Sequence, residues 1–351
     1  MGRIRKSPYA KRITQPLARG WNLVGPMLWK NGIGHAARTN ISAMQRLRAG
    51  IPMDIEAPRA LCEDTYLHIN PKKSFIDKFA TDGQVIGFWA WETSQCPDEW
   101  VPLSQRYSQI WVPSRFVADS LRRAGVEKTI EVVPHAIFPS KVERVESEGI
   151  RFLIQFDGHS RVSRKLPHIA LAGIIAACKK TRAAASITLK CHNHDDWQWL
   201  INEAVSMAGG LPGYITINVN SQWVDSMDAI WASHDVFVTA CRAEGFGLPL
   251  VEAMLNGVLV VSPFYGAATD YLTQENAFPV ECSLCDAASC GDSFFTTGKW
   301  ADPRIFDISE GVIAAIREHK TQAWINRVNE AKTMAKNFSF ENLFCTMHDL
   351  L

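Results

Sequence analysis

The chain lacks the markers of export and of membrane insertion. No apolar run approaches the roughly 20 residues that span a bilayer, and the longest, around Ile169–Cys178, falls far short. The N-terminus is basic, but no apolar h-region follows it, so no secretory signal is expected. Nine cysteines, an odd number in a long chain, argue for free thiols rather than a disulfide framework. Cys282, Cys285 and Cys290 form C-x2-C-x4-C, and Cys191, His192 and His194 cluster elsewhere. There is no second C-x2-C and no matched histidine pair, so loop cysteines are expected before a structural zinc. Acid is missing from the first 53 residues, which carry ten Lys or Arg before Asp54. Beyond them stand 27 bases against 36 acids, a net of about −9. A basic N-terminal region suggests an anionic neighbour, whether phosphates, a membrane surface or nucleic acid. A solvated tail followed by an arginine-bearing helix face is the plainer alternative. These absences predict a cytoplasmic chain.

What is present describes a globular protein. Its 351 residues are 47% hydrophobic and 21% charged, enough for two domains of ordinary size. Short apolar strands alternate with helical patterns, which predicts parallel α/β layers. Strands are expected at Trp21–Val24, Tyr66–Ile69, Val85–Phe88, Gln109–Val112 and Ile130–Val133, with helices at His35–Arg48 and Arg115–Arg123. Further on, strands are expected at Phe152–Phe156, Ile187–Lys190, Ile215–Val219, Val236–Thr239 and Val258–Val261. Helices fit Pro167–Lys179, Asp196–Met207 and Met227–Ser233. The polar, aperiodic stretch within Pro139–Ile150 marks a boundary. The expected division is residues 1–143, 144–330 and a terminal helical segment 331–351.

Residues 242–257 constrain function most tightly: R-A-E-G-F-G-L-P-L-V-E-A-M-L-N-G. Glu244 and Glu252 flank a glycine turn, Gly245-Phe246-Gly247, that runs into Leu248-Pro249. Proline suits the first helical position, and Asn256-Gly257 supplies the left-handed residue that ends a helix. The pattern predicts strand, tight loop and short helix, with Glu244 in the loop and Glu252 in the first helical turn. A helix N-terminus offers unpaired N–H groups to an anion or polar ligand. Glycines admit close backbone approach, and carboxylates accept from vicinal hydroxyls. Helix capping accounts for one acid but not for the second acid or the Gly-Phe-Gly.

This segment resembles the E-x7-E signature of retaining glycosyltransferases of family 4, in its fuller form E-G-F-G-L-P-x-x-E-A-M. The resemblance implies an α/β chain of the GT-B fold: two Rossmann-like domains facing a cleft, with a C-terminal helix crossing back to the N-terminal domain. F-S-F-E at Phe338–Glu341 is similar to the start of that closing helix. Family usage implies that Glu244 and the amides of Gly245, Phe246, Gly247 and Leu248 hold a donor sugar, while Glu252 holds the ribose of its nucleotide. Lys165, with Arg161 or Arg164 as its partner, is implied to neutralise the leaving diphosphate, where charge builds as the bond breaks. Gly266 and Ala267, in Y-G-A-A-T-D, are placed to offer amides to the donor phosphates.

On the N-terminal side, Asn31-Gly32-Ile33-Gly34 follows a strand and opens a helix, with Arg38 one turn in. Such a loop can cradle phosphate on backbone amides. G-F-W-A-W-E and W-V-P-S-R-F resemble a bacterial polysaccharide-type subgroup. There Trp91-Glu92 takes the place of a histidine motif common in relatives, so Trp91 and Glu92 become candidates for sugar or acceptor contact. Core packing is an equal expectation for each tryptophan. His135, which ends a V-V-P-H run, is a cleft candidate.

The implied activity is retaining transfer of a hexose-type sugar from a UDP- or GDP-sugar to a hydroxyl. No cofactor or metal is expected, and the sequence contains no D-x-D. The first-choice acceptor is a lipid-linked or surface glycan, met at the inner membrane surface through the basic N-terminal region. The alternative is a phage-type enzyme acting on hydroxymethylated DNA bases, which requires base flipping. A catalytically silent GT-B binding module is less expected, since both glutamates and the lysine are present.

Overall fold

The computed structural model describes residues 18–193, 196–224 and 226–351. Arg3, Arg5, Lys6, Lys11 and Arg12, half of the cations in the acid-free stretch, lie outside the described residues, as does His194.

The first half runs β1 (Ala18–Gly25), α1 (Gly32–Leu47), β2 (Gly50–Asp54), β3 (Cys62–Leu67), α2 (Lys73–Phe79), β4 (Val85–Phe88), α3 (Trp100–Ser104), β5 (Gln109–Val112), α4 (Arg115–Ala124) and β6 (Ile130–Val132). The six strands form one parallel sheet in the order β2-β1-β3-β4-β5-β6. Local chemistry sets the helix ends. The Asn31 side chain accepts from the Gly34 N–H to start α1, and Ser114 accepts from Val117 N–H to start α4. Gly125, at φ +97°, closes α4 in the left-handed region. Strand β2 was not expected, because G-I-P-M-D carries a glycine and a proline. It lies at the sheet edge on β1 alone, where a missing proline N–H costs little.

The second half runs β7 (Ile150–Asp157), α5 (Val162–Lys165), α6 (Pro167–Thr181), β8 (Ala185–His192), α7 (Trp197–Met207), β9 (Ile215–Asn220), α8 (Asp228–Ala232), β10 (Val236–Val238), α9 (Leu248–Leu255), β11 (Leu259–Pro263), β12 (Phe278–Val280), β13 (Ser283–Asp286), β14 (Lys299–Asp302), α10 (Ile305–Glu318), α11 (Gln322–Ala335) and α12 (Phe340–Leu350). Its sheet is also parallel, ordered β12-β11-β10-β7-β8-β9. Strands β10 and β11, and the Phe152-Leu153-Ile154 centre of β7, are buried on both faces, as a parallel sheet between helix layers requires. Helices α6 and α10 cross closely at Gly173, where a Cβ would fall 2.6 Å from Ile308 Cγ2.

Two connections tie the halves together. Ile137 N–H donates to the Phe338 carbonyl (2.8 Å), and α12 then lies on α1, with Leu343 and Met347 buried in the N-terminal core. This is the crossing helix the resemblance implied. Helix α11 packs on α9 and remains with the second domain, so the crossing helix starts at Phe340 rather than at 331. The second tie was not foreseen. Strands β13 and β14 pair antiparallel and form a strap, residues 281–302, that reaches the N-terminal domain. There Trp300 Nε1 donates to the Glu92 carbonyl (2.7 Å), Lys299 N to Ser94 Oγ (2.8 Å) and Thr297 Oγ1 to the Gln95 carbonyl (2.9 Å). Phe294 and Phe295 pack on the Trp91 ring at 5.6 and 5.2 Å. Aromatics of this size bury on the order of 200 Å² each. At about 25 cal/mol/Å², the fully buried Phe295 therefore contributes several kcal/mol to joining the domains, and Phe294, half exposed, contributes less.

Candidate functional site

Strands β7 and β10 are neighbours in space but not in sequence, so the chain reverses its winding direction between them. In open α/β sheets ligands bind at such a switch point, outside the carboxyl ends of the strands. The loops after these two strands carry Arg161–Leu166 and Cys241–Gly247, and they close on each other.

The first loop is tightly wound. Arg161 (φ +67°) and Leu166 (φ +44°) both occupy the left-handed region without being glycine, and they bracket the single turn of α5. Strain of this kind persists only where surrounding contacts impose it, and it clusters at functional sites. Arg164 and Lys165 are the last two residues of α5.

The second loop receives them. Arg164 Nη1 donates to Glu244 Oε2 (3.1 Å) and to the Ala243 carbonyl (2.9 Å), and Lys165 Nζ donates to Glu244 Oε1. Arg242 N–H donates back to the Arg164 carbonyl (2.9 Å). Burial would raise the Glu244 pKa, but Lys165 and Arg164 outweigh it and hold the carboxyl at about 2. Burial works against the Arg164 charge too, and the nearby Glu244, Cys241 and Glu92 raise its pKa despite that. Glu92 arrives from the opposite domain, 3.9 Å from Arg164 Nη2. Burial raises the Glu92 pKa, Arg164 opposes the shift and Glu244 adds to it. Lys165, Glu244, Gln155, Thr239, Cys241 and Gly247 line a cavity of about 20 Å³, room for a single water at most.

The glycine turn is shaped by protein contacts. Gly247 has φ +83°, and a Cβ there would meet Tyr271 Oη at 2.7 Å. Gly245 approaches the N-terminal domain so closely that a Cβ would stand 3.0 Å from the Trp91 carbonyl oxygen, and its own carbonyl accepts from Ser114 Oγ (2.7 Å). The Phe246 carbonyl accepts from Tyr271 Oη (2.6 Å). Gly247 caps α9, Leu248 is its first residue and Pro249 its second, one place later than the sequence suggested. Glu252 is the fifth helical residue and so stands in the second turn, not the first. Burial first, and then Asp228, push its pKa up to about 7, against a hydrogen bond from Trp231.

Other candidates are placed as follows. The Arg161 guanidinium pairs with Asp292 (3.0 Å) and lies over the Phe294 ring, turned from Glu244. Gly32 lies across from α9, its nearest such neighbour Leu248 Cδ1 at 4.0 Å from a Cβ position. The Gly34 N–H is taken by the Asn31 side chain, so this amide is not available to a phosphate. The Ala267 N–H is likewise taken, by the Glu244 carbonyl (2.9 Å), whereas Gly266 packs beside Glu244. Arg38 donates to the Met27 and Trp29 carbonyls (2.8 and 3.0 Å), pinning the loop ahead of α1. Trp91 is fully buried, edge-on to Trp100, with its N–H bonded to Thr93 Oγ1 and the Gln95 carbonyl, so its ring is core and not a sugar platform. His135 is buried against Phe88 and Phe246 and, with burial first and His35 second as causes, is held down to about 3. Among the described residues no three His, Cys, Asp or Glu side chains gather as a metal site.

Sequence reasoning passed over Arg242, Ser114 and Tyr271. Arg242 stands two residues ahead of the E-x7-E string and was in plain view, but a buttressing role depends on partners that only folding supplies. Its guanidinium bonds to Asp302 (2.7 Å), the Ala301 carbonyl (3.1 Å) and the Ser163 carbonyl (3.0 Å).

Comparison with known proteins accords with this geometry. The fold, two six-stranded parallel sheets facing each other with a returning helix, is that of the GT-B glycosyltransferases. The structure of Anabaena HepE with UDP and glucose superposes with TM-score 0.66 at 13% identity, over 94% of this chain and 98% of that one. The pneumococcal O-GlcNAc transferase GtfA with UDP and GlcNAc gives TM-score 0.58 at 13% identity, over 82% of this chain. S. aureus TarM, with Fondaparinux, alpha-GlcNAc-glycerol and UDP, gives 0.61 at 11% identity, over 90% of this chain. The matched region spans only 56% of the GtfA chain and 58% of the TarM chain. Within the fold, residues 201–289, which hold the E-x7-E segment, match the family model described as Glycosyl transferases group 1. A search of the curated proteins finds no match.

Proposed function

We propose that this chain is a retaining glycosyltransferase that moves a hexose-type sugar from a nucleotide-sugar to a hydroxyl acceptor. The observation that carries the reading is the closure of Arg164 and Lys165 on Glu244 at the β7/β10 switch point. Two cations buried around one ionised carboxylate form a site that exchanges internal contacts for ligand contacts. An incoming diphosphate competes with Glu244 for the cations, and sugar hydroxyls take the carboxylate in return. The UDP and glucose bound by Anabaena HepE support a uridine donor and a hexose.

In the transfer, the bond from the anomeric carbon to the leaving phosphate oxygen breaks, and a bond to the acceptor oxygen forms on the same face. The acceptor proton passes to the departing phosphate oxygen, so no enzyme carboxylate need attack the sugar. Arg164 and Lys165 stabilise the charge that builds on the diphosphate. Glu244 orients the sugar and Glu252 the ribose. Arg161, paired with Asp292, is left out of the diphosphate role. Glu92, brought to the site from the other domain, faces the acceptor.

The acceptor is read as a lipid-linked or surface glycan, with the basic N-terminal region meeting anionic lipid at the cytoplasmic face. Among the described residues no helix is long and apolar enough to cross a membrane. A panel of UDP- and GDP-sugars, followed by thermal shift and slow donor hydrolysis, tests the donor. One sugar nucleotide should raise the melting temperature, and Lys165→Ala should abolish the shift; silence across the panel refutes the reading. Retention on anionic vesicles with indifference to duplex DNA supports the glycan acceptor. Salt-dependent retention on duplex DNA instead turns the reading to a nucleic-acid acceptor.

A further inference from the structure

Cys285 and Cys290 stand at the two ends of the turn that follows β13, with Sγ atoms 3.3 Å apart. A disulfide needs about 2.05 Å, so closure asks for travel of only about 1 Å, within the reach of side-chain rotation. The turn itself is fixed. Ala287 N–H donates to the Gly298 carbonyl (3.0 Å), Ser289 Oγ to the Asp286 carbonyl (2.7 Å), and Gly291 leaves the turn at φ +75°. Both thiols are half-buried, open enough for a small reagent, as is Cys282, which among the described residues has no cysteine partner in contact; Cys62, Cys96, Cys178, Cys191 and Cys241 are buried and Cys345 is exposed.

The pair also touches the machinery of the cleft. Arg242 Nη1 lies 3.2 Å from Cys285 Sγ, and the same side chain holds the Ser163 carbonyl, while its backbone N–H holds the Arg164 carbonyl. On the other side, the strap that carries the pair grips Glu92, Ser94 and Gln95 of the facing domain. Drawing Cys285 Sγ toward Cys290 alters its contact with Arg242 and tightens the base of the strap.

We propose that Cys285 and Cys290 form a reversible thiol–disulfide site, with a low-molecular-weight disulfide as co-reactant, whose state is transmitted to both walls of the cleft. One thiolate attacks a sulfur of oxidised glutathione, which forms a mixed disulfide and expels one glutathione thiolate. The second protein thiolate attacks the protein sulfur of that mixed disulfide and expels the other. Two electrons pass to glutathione disulfide, and the two protein protons end on the two glutathione thiolates. Burial, helped by the hydrogen bond with Cys290, pushes the Cys285 thiol up to about 11 against the pull of Arg242, so reduced Cys285 is held as the neutral thiol.

The test uses the full chain carrying Cys282→Ser and Cys345→Ser, equilibrated with reduced and oxidised glutathione and then mapped by peptide mass spectrometry without reduction. The expected product lacks two hydrogens and links 285 to 290, while Cys285→Ser and Cys290→Ser each carry a single glutathione adduct instead. Separate adducts on both cysteines, or two unmodified thiols, overturn the site. Hydrogen exchange of the oxidised protein should change in peptides covering residues 92–96 and 161–166. A change confined to 283–302 overturns the transmission. Neither readout involves a sugar donor, so the outcome is independent of the glycosyltransferase reading.

Discussion

Glu252→Gln gives the sharpest test of the site's electrostatics. In the folded chain the Glu252 carboxyl is raised from 4.5 to about 7, chiefly by burial and then by Asp228. For an acid shifted upward, the folded state holds its proton more tightly than the unfolded chain does. Stability is therefore lost as pH rises from the unfolded value through the folded one. Each pKa unit is worth about 1.4 kcal/mol, so the full shift amounts to roughly 3 kcal/mol between pH 4.5 and pH 8. Glutamine keeps the shape and carries no titration. The stability difference, variant minus wild type, should thus be small near pH 4.5 and rise to roughly 3 kcal/mol in favour of the variant by pH 8. Urea denaturation of both proteins at four pH values measures it. A difference that stays flat across the series refutes the assignment of a buried, proton-holding Glu252. The functional side runs opposite. If ribose hydroxyls donate to the carboxylate, donor affinity of the wild type should climb between pH 6 and pH 8, and the variant should lose both the climb and the affinity.

The remaining expectations concern the ion cluster and the packing. Glu244→Ala leaves Arg164 and Lys165 buried without their carboxylate and should cost about 3–5 kcal/mol in denaturant titrations. Glu244→Gln, which keeps the shape, should fold and still lose about 10²-fold or more in transfer rate, read as product per enzyme. Gly173→Ala drives a methyl to within 2.6 Å of Ile308 and should destabilise the α6–α10 crossing by about 1–3 kcal/mol, seen as a lower melting temperature. Met347→Ala removes a buried anchor of α12 and should cost about 2–5 kcal/mol, with faster hydrogen exchange in residues 340–351.

Much of the fold was legible because burial on both faces leaves long apolar runs. Strands β4 and β5 fall where the pattern set them, and β7, β8 and β10 differ by a residue or two at the ends. The misses have physical causes. Strand β2 carries Gly50 and Pro52, residues that speak against a strand until an edge position is known. The strap at 281–302 has no long periodic run, and its residues become core only against Trp91 and Trp100 of the other domain. Trp91 illustrates the limit for single side chains. Sequence alone weighed a sugar platform equally with core, and the contacts of its ring and N–H decide for core.

By itself the sequence determined the alternation of core strands and helices, the glycine turn after β10 and the two glutamates on either side of it. These depend on local propensity and spacing, which are written residue by residue. The tertiary structure decided which cations meet Glu244. Lys165 and Arg164 stand about eighty positions away in the chain, and Arg161, equally eligible by sequence, faces Asp292. It also decided the protonation of the two acids, because burial and neighbouring charge act through space. Glu244 is buried between two cations and is held at about 2, while Glu252, buried without a cation and facing Asp228, is pushed to about 7. Chain spacing encodes neither distance, so only the packed domains separate one carboxylate's chemistry from the other's.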